Sequence, residues 1–226
     1  MKLLALDSSG TSVSLALLEG ETLLGEFFLN AGLTHSQTLA PMVKSLIEFS
    51  GIKTSSLECI AVTIGPGSFT GIRIGVALAK GMALALSLPC IGVTCCEALC
   101  AGVKNFEGTI CTCIHARENE VYFAIFNSES DKILKTYDER AANVSEIKKI
   151  FKKNEHVMFV GNAAEMCYNE TLGHCIGIYE NTLIKASNIV RAAFELNFRQ
   201  ASSAQDLEIK YLKLPKAERE LLDKDR

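Results

Sequence analysis

Leu3 to Leu6 form an uninterrupted apolar run that ends at Asp7, the pattern of a strand buried on both faces. Val13 to Leu18 alternates more clearly after the turn Ser8-Ser9-Gly10-Thr11, and Thr22 to Leu29 follows the turn Glu19-Gly20-Glu21, so three antiparallel strands open the chain. From Thr34 to Ser50 the period becomes helical. Leu39, Met42, Val43, Leu46, Ile47 and Phe49 share one side, and Gln37, Lys44 and Glu48 the other. Thr34-His35-Ser36-Gln37 has the form of a capping box, Pro41 is expected to kink the first turns, and Gly51 to end the helix. A fourth strand is predicted over Leu57 to Ile64, a second helix over Thr70 to Leu86, and a strand over Cys90 to Val93 after Pro89.

Between that fourth strand and second helix lies Gly65-Pro66-Gly67-Ser68-Phe69-Thr70-Gly71-Ile72-Arg73-Ile74-Gly75. A glycine-rich turn opening a helix suggests a phosphate cradle, because free N–H groups and the helix dipole attract anions. It lacks the lysine of a P-loop and the spacing of a dinucleotide fingerprint. The helix it opens is poor in bulk: Gly71, Gly75, Ala79 and Ala83 form one ridge, and Ala77, Gly81 and Ala85 another. Each interior glycine costs about 1 kcal/mol of helix propensity relative to alanine, so close packing must compensate, against the sheet alone or also against a partner helix.

After a helix predicted from Cys95 to Val103 the same order restarts. Thr109 to His115 and Glu120 to Asn127 read as a hairpin, Ile133 to Tyr137 as a third strand, Val144 to Lys153 as a helix and Val157 to Val160 as a strand. A short helix opens near Gly161, a weak strand follows near Cys175 to Tyr179, a last helix spans Ile184 to Gln200, and the charged tail Glu218 to Arg226 is expected to fray. The expected fold class is α/β, a duplication of the actin-like, sugar-kinase and Hsp70 type. Each subdomain has a mixed sheet flanked by helices, the first over 1–100 and the second, smaller one over 101–226.

Composition narrows the partners. A net charge of −3 and a pI near 5.9 argue against a chain that grips nucleic acid alone. Lys148, Lys149, Lys152 and Lys153 read as a solvated helix face. The richest apolar stretch, Ile72 to Leu88, is interrupted by Arg73 and Lys80, so no membrane span is expected. Nine cysteines without zinc-knuckle spacing read as reduced, buried thiols, although Cys95 and Cys96 sit at a helix start, which favours thiolate.

Actin-like folds clamp ATP between subdomains. Here Asp7, Ser8 and Ser9 would serve the first hairpin, with Gly65, Gly67 and Ser68 below, but the second hairpin offers His115 and Arg117 where an acid is wanted. The adenosine loop would be Phe159-Val160-Gly161-Asn162, with a single glycine. Magnesium phosphate wants hard oxygen ligands, so half of that apparatus is missing and the cleft reads as degenerate. The four histidines share no i, i+4 pair, so no helical metal site is expected. An ATP-dependent kinase and a metallopeptidase stay open as alternatives to a non-catalytic subunit.

Leu4-Ala5-Leu6-Asp7-Ser8-Ser9, His35-Ser36-Gln37 with Pro41, and above all the Gly65-to-Gly75 segment resemble the TsaB (YeaZ) family. Ala79-Lys80-Gly81, Pro89, Gly92-Val93 and Glu97-Ala98-Leu99 continue the likeness, as do Ala116-Arg117-Glu118-Asn119-Glu120-Val121-Tyr122 and Tyr211-Leu212-Lys213. The resemblance implies a cytoplasmic, non-catalytic subunit for threonylcarbamoyladenosine synthesis beside the anticodon of tRNAs that read codons beginning with A. It implies pairing with TsaD, which carries the metal, help in recruiting the ATPase TsaE, tRNA contact through the complex, no cofactor of its own, and homodimerisation when alone. The partner surface it implies lies on the first two helices, with His35, Leu39, Met42, Val43, Leu46, Gly71, Gly75, Val76, Ala79 and Lys80 as candidates.

Overall fold

The structure, a computed structural model, describes residues 1–32, 34–130, 132–195 and 201–213. Strands β1 (Lys2–Asp7), β2 (Val13–Glu19) and β3 (Thr22–Leu29) form the opening antiparallel meander. Helix α1 (His35–Phe49) crosses to β4 (Cys59–Thr63), and α2 (Phe69–Leu86) crosses to β5 (Cys90–Val93), with β4 parallel to both β1 and β5. The first sheet therefore has the order β3-β2-β1-β4-β5. Helix α3 (Cys95–Gly102) leads to the second sheet, built from β6 (Gly108–Arg117), β7 (Glu120–Glu129), β8 (Lys132–Asn143), β9 (His156–Val160) and β10 (Ile176–Glu180). Its crossovers are α4 (Val144–Ile147) and α5 (Ala164–Glu170), and its order, β8-β7-β6-β9-β10, repeats the first. The duplication expected from the element order is present in the topology.

Three apolar layers hold the sheets. One lies between the first sheet and α1 and α2, where Leu4, Leu6 and Leu15 meet Leu39, Leu46 and Val76. A middle layer joins the two sheets through α3 and α6 (Ala186–Val190), with Leu3, Ala5, Leu99, Phe126 and Ile189. The third seals the far face of the second sheet with Phe123, Ile147, Phe159 and Cys167. Strand β1 feeds two layers, which is why Leu3 to Leu6 is apolar without alternation.

Local departures have physical causes. The Thr34 hydroxyl does not cap α1; the Gln37 N–H goes to the Thr34 carbonyl instead, as does the Thr38 hydroxyl. A full capping box forms at α3, where the Thr94 hydroxyl accepts from the Glu97 N–H at 3.1 Å and Glu97 Oε2 accepts from the Thr94 N–H at 2.8 Å. The helix expected over Val144 to Lys153 stops at Ile147 and becomes a 3₁₀ turn, Lys148–Ile150. Between Ile147 and Lys153 only Phe151 is buried, and Glu155 Oε2 takes the Lys152 N–H at 2.7 Å, turning the chain. The final helix runs as α6 and then a π-helical turn, Arg191–Glu195. The rest of that predicted helix, 196–200, and the tail from Glu218 lie outside the described residues.

After β10 the chain returns to the first sheet. The Ala186 N–H reaches the Ser14 hydroxyl at 2.8 Å, Ser202 bridges the β5 edge at Cys90, and Ala204 and Leu207 join the layer under α2. Residues 201–213 thus form a strap along the first subdomain.

Candidate functional site: the inter-sheet cleft and the outer face of α2

The glycines of the turn are explained by how closely the β1–β2 turn approaches them. A Cβ on Gly67 would lie 2.5 Å from the Ser9 carbonyl oxygen, and one on Gly71 only 2.0 Å from that of Ser8. On Gly75 it would lie 2.5 Å from the Ser8 hydroxyl, which donates to the Gly71 carbonyl at 2.8 Å. The Ser68 N–H donates to the Ser9 carbonyl at 2.7 Å, while the Ser68 hydroxyl caps α2 by accepting from the Gly71 N–H. Gly65, at φ +106°, lets the Lys210 carbonyl approach, and its own carbonyl takes the Cys95 N–H at 2.8 Å. Two N–H groups at the start of α2 that an anion could use are therefore already spent, that of Ser68 on the Ser9 carbonyl and that of Gly71 on the Ser68 hydroxyl.

Asp7 sits beneath this turn, 1% exposed. Its Oδ1 accepts from the Ser9 N–H at 3.1 Å, the Ser9 hydroxyl at 2.6 Å and the Thr63 hydroxyl at 2.6 Å. Burial raises its pKa, outweighing those bonds and the attraction of His35. His35 donates from Nε2 to the Gly10 carbonyl at 2.8 Å, pinning α1 to the same turn, and its Nδ1 is buried without a partner.

The candidates on the second hairpin lie away from the cavity beside Asp7. His115 and Arg117 are exposed and do not line the cavity beside Asp7; the His115 N–H goes to Asn162 Oδ1 at 2.8 Å and its ring to the Glu118 carbonyl at 3.2 Å. Gly161, at φ +122°, is pressed against the Cys113 carbonyl, where a Cβ would lie 2.2 Å away. A cavity of about 30 Å³ lies beside Asp7, lined by Asp7, Ser9, Ser12, Asn162 and the linker Thr182 to Ile184. That holds about two waters. Among the described residues no cluster of three or more His, Cys, Asp or Glu side chains could hold a metal. Cys95 and Cys96 are fully buried, and burial pushes both thiols far up, overriding the helix start.

The helix residues expected to meet a partner divide into two groups. Leu39, Val43, Leu46, Gly71, Gly75, Val76 and Ala79 are buried against their own sheet, because the Ser8-Ser9 turn draws that ridge inward. His35, Met42 and Lys80 are half-buried. The second ridge, Ala77, Gly81 and Ala85, is exposed, flanked by half-buried Ile74, Leu78 and Met82. Nothing lies within 4 Å of a Cβ at Gly81. By length and composition α2 could cross a membrane, yet it is the crossover helix between β4 and β5, and a third of it is buried.

Sequence reasoning missed the strap's anchors. Tyr211 takes the Arg73 Nε–H on its hydroxyl at 2.8 Å, and Arg73 lies 3.7 Å over the Phe69 ring. The Lys210 N–H reaches the Ile64 carbonyl at 2.8 Å and its ammonium Glu139 at 2.5 Å; Lys213 pairs with Glu120 at 2.6 Å. Glu139 also accepts from Lys135 and the Thr94 hydroxyl. Lys135 is four positions from Glu139, but Thr94 and Lys210 are 45 and 71 positions away, and no local pattern marks them.

Two duplicated mixed sheets around a central cleft define an actin-like protein. Two solved structures of a YeaZ-type protein from Pseudomonas aeruginosa share this fold, with TM-scores of 0.80 and 0.81 at 24% identity, covering 94% and 93% of this chain and 99% of each. A family model described as TsaD, tRNA N6-adenosine threonylcarbamoyltransferase, matches residues 30–220. The tRNA threonylcarbamoyladenosine biosynthesis protein TsaB of Bacillus subtilis is 31% identical over 163 residues, 72% of this chain and 71% of that protein. Its Escherichia coli counterpart is 36% identical over 135 residues, spanning 58% of its length. The chain belongs to the TsaB (YeaZ) family.

Proposed function

We propose that this chain is a cytoplasmic, non-catalytic subunit for the synthesis of threonylcarbamoyladenosine in tRNA. In this reading it docks TsaD through the outer ridge of α2, helps recruit the ATPase TsaE, and meets tRNA through the assembled complex. The observation that carries the reading is the crowding of the glycine turn: the Ser9 carbonyl takes the Ser68 N–H at 2.7 Å, the Ser8 carbonyl crowds Gly71, and His115 and Arg117 do not line the cavity beside Asp7. The bare ridge of Ala77, Gly81 and Ala85 supports close helix docking, since small side chains let a second backbone approach.

Reconstitution tests it. Purified chain alone is expected to give neither ATP turnover nor modified tRNA, and to support both when TsaD, TsaE and the remaining substrates are added. Ala77→Glu places a charge on the exposed ridge and should weaken TsaD binding at least tenfold while leaving the fold intact. Unchanged binding would remove α2 from the interface. A kinase of the same fold would instead bind magnesium ATP saturably, with affinity lost in Asp7→Ala; calorimetry separates the two.

A further inference from the structure

The half-buried Lys135, Lys210 and Lys213 are each paired with a carboxylate. One cavity departs from that pattern. It measures about 280 Å³ and is lined by Glu26 of β3, Lys104 after α3, Glu180 at the end of β10 and Lys185 before α6, so both subdomains contribute to it. Two carboxylates and two ammonium groups thus share one concavity. Among the described residues none of the four is in an ion pair, so the cavity holds opposite charges apart. Leu99 and Val160 supply a buried apolar wall.

Neutral polar groups in the same wall are also unspent. Glu26 is half-buried and commits Oε1 to the Ser187 N–H at 2.9 Å, which leaves Oε2. The Ser187 hydroxyl and the Asn188 amide, both on half-buried residues, make no side-chain hydrogen bond among the described residues. A Cβ at position 102 would lie 2.7 Å from Asn188 Nδ2, so glycine there leaves the amide its room. We infer that this cavity binds a free α-amino acid with an uncharged polar side chain. Its ammonium sits on Glu26, its carboxylate on Lys185 and Lys104, and its side chain against Asn188 and Ser187. The balance of charge selects a zwitterion, because a plain anion or cation would satisfy one pair and be repelled by the other. A zwitterion set between the pairs bridges them with charge-assisted hydrogen bonds of about 2.8 Å each. Neither α2 nor the glycine turn lines this cavity, so the inference is independent of TsaD docking.

Calorimetric titration of the full chain with L-glutamine tests it. Saturable binding is expected. N-acetyl-L-glutamine and L-glutaminamide each lack one of the two charges and should bind at least about tenfold more weakly, the worth of a charge-assisted hydrogen bond. Glu26→Gln keeps an acceptor for the Ser187 N–H and removes the charge, and should weaken L-glutamine by about tenfold. The double variant Lys104→Met with Lys185→Met, at two exposed positions, should do the same, with circular dichroism verifying that each variant folds. Asn188→Ala should weaken L-glutamine and leave the binding of free glycine unchanged. Absence of saturable binding by L-glutamine overturns the inference. So does binding that the singly charged derivatives match, or that survives both charge variants, since the ligand would then sit elsewhere.

Discussion

Gly71 and Gly81 lie ten residues apart on α2, and Gly→Ala should have opposite signs at the two positions. At Gly81 a Cβ meets nothing within 4 Å, so alanine should stabilise by about 0.5–1 kcal/mol through helix propensity and a less free unfolded chain. At Gly71 the Cβ would stand 2.0 Å from the Ser8 carbonyl oxygen, and real Cβ atoms essentially never come closer than 3.0 Å, so α2 and the β1–β2 turn must part by at least 1.0 Å. That movement stretches the Ser8 hydroxyl–Gly71 carbonyl bond and the Ser68 N–H–Ser9 carbonyl bond beyond useful length. Each is worth about 1 kcal/mol, and the forced repacking costs roughly another 1–3 kcal/mol. After subtracting at most about 1 kcal/mol of helix propensity, Gly71→Ala should destabilise by about 2–4 kcal/mol. The chain has no tryptophan, so urea unfolding is followed by far-ultraviolet circular dichroism. If Gly71→Ala unfolds within about 0.5 kcal/mol of wild type, the close approach to Ser8 does not constrain this helix and the packing account of the motif fails.

Two further predictions concern buried carboxyls. Burial lifts Asp7 above its ordinary 3.8, so between the unfolded and folded pKa values the folded chain holds a proton the unfolded chain has released. Stability then falls as pH rises through that window. Asp7→Asn keeps the Oδ1 acceptor and removes the charge, so it should stabilise at about pH 7.5, with the advantage vanishing below about pH 3.8; a lower urea midpoint for Asp7→Asn at about pH 7.5 would refute this. For Glu139 burial acts upward too, but hydrogen bonds from Lys210, Thr94 and Lys135 outweigh it and bring the carboxyl down to about 2. Its contribution is present above the ordinary 4.5 and is lost as pH falls towards 2. Lys210→Met should cost about 1–2 kcal/mol at neutral pH, after allowing for the partly exposed lysine, and flatten that acid limb. An unchanged acid profile would show that Lys210 does not hold Glu139 down.

Much of the fold was legible because its signals were redundant. Leu3 to Leu6 could be placed as a central strand from composition, and the repeated strand and helix order exposed the duplication before any contact was known. The candidate site was legible only in part. Thr34 and Thr94 both precede a capping partner by three residues, yet only Thr94 forms the box, because its glutamate lies in a buried charge network with Lys135. Lys148 to Lys153 looked helical by propensity, but only Phe151 in that stretch is buried, so packing could not extend α4 beyond Ile147. The strap was invisible, since Lys210 and Tyr211 acquire meaning only from Glu139, Ile64 and Arg73, far away in the chain.

The hardest inference from sequence was which small ridge of α2 faces inward, since Gly71-Gly75-Ala79-Ala83 and Ala77-Gly81-Ala85 are alike in size. The choice is made by the β1–β2 turn. The Ser8 carbonyl and hydroxyl occupy the space of two missing side chains, so only a ridge with glycine at both positions can seat against them. The second ridge has glycine at one position and alanine at the others, which suffices for a neighbouring helix but would collide with a backbone held as close as that of Ser8. Two different degrees of closeness are therefore encoded on one helix. The inner ridge requires glycine for the fold, whereas the outer ridge tolerates alanine and is exposed. A substitution series should separate them by readout: changes at 71 and 75 lower the unfolding midpoint, and bulky changes at 77, 81 and 85 do not lower it while altering what α2 can dock. A series in which both ridges shifted stability equally would mean that α2 is buried on both sides by its own chain.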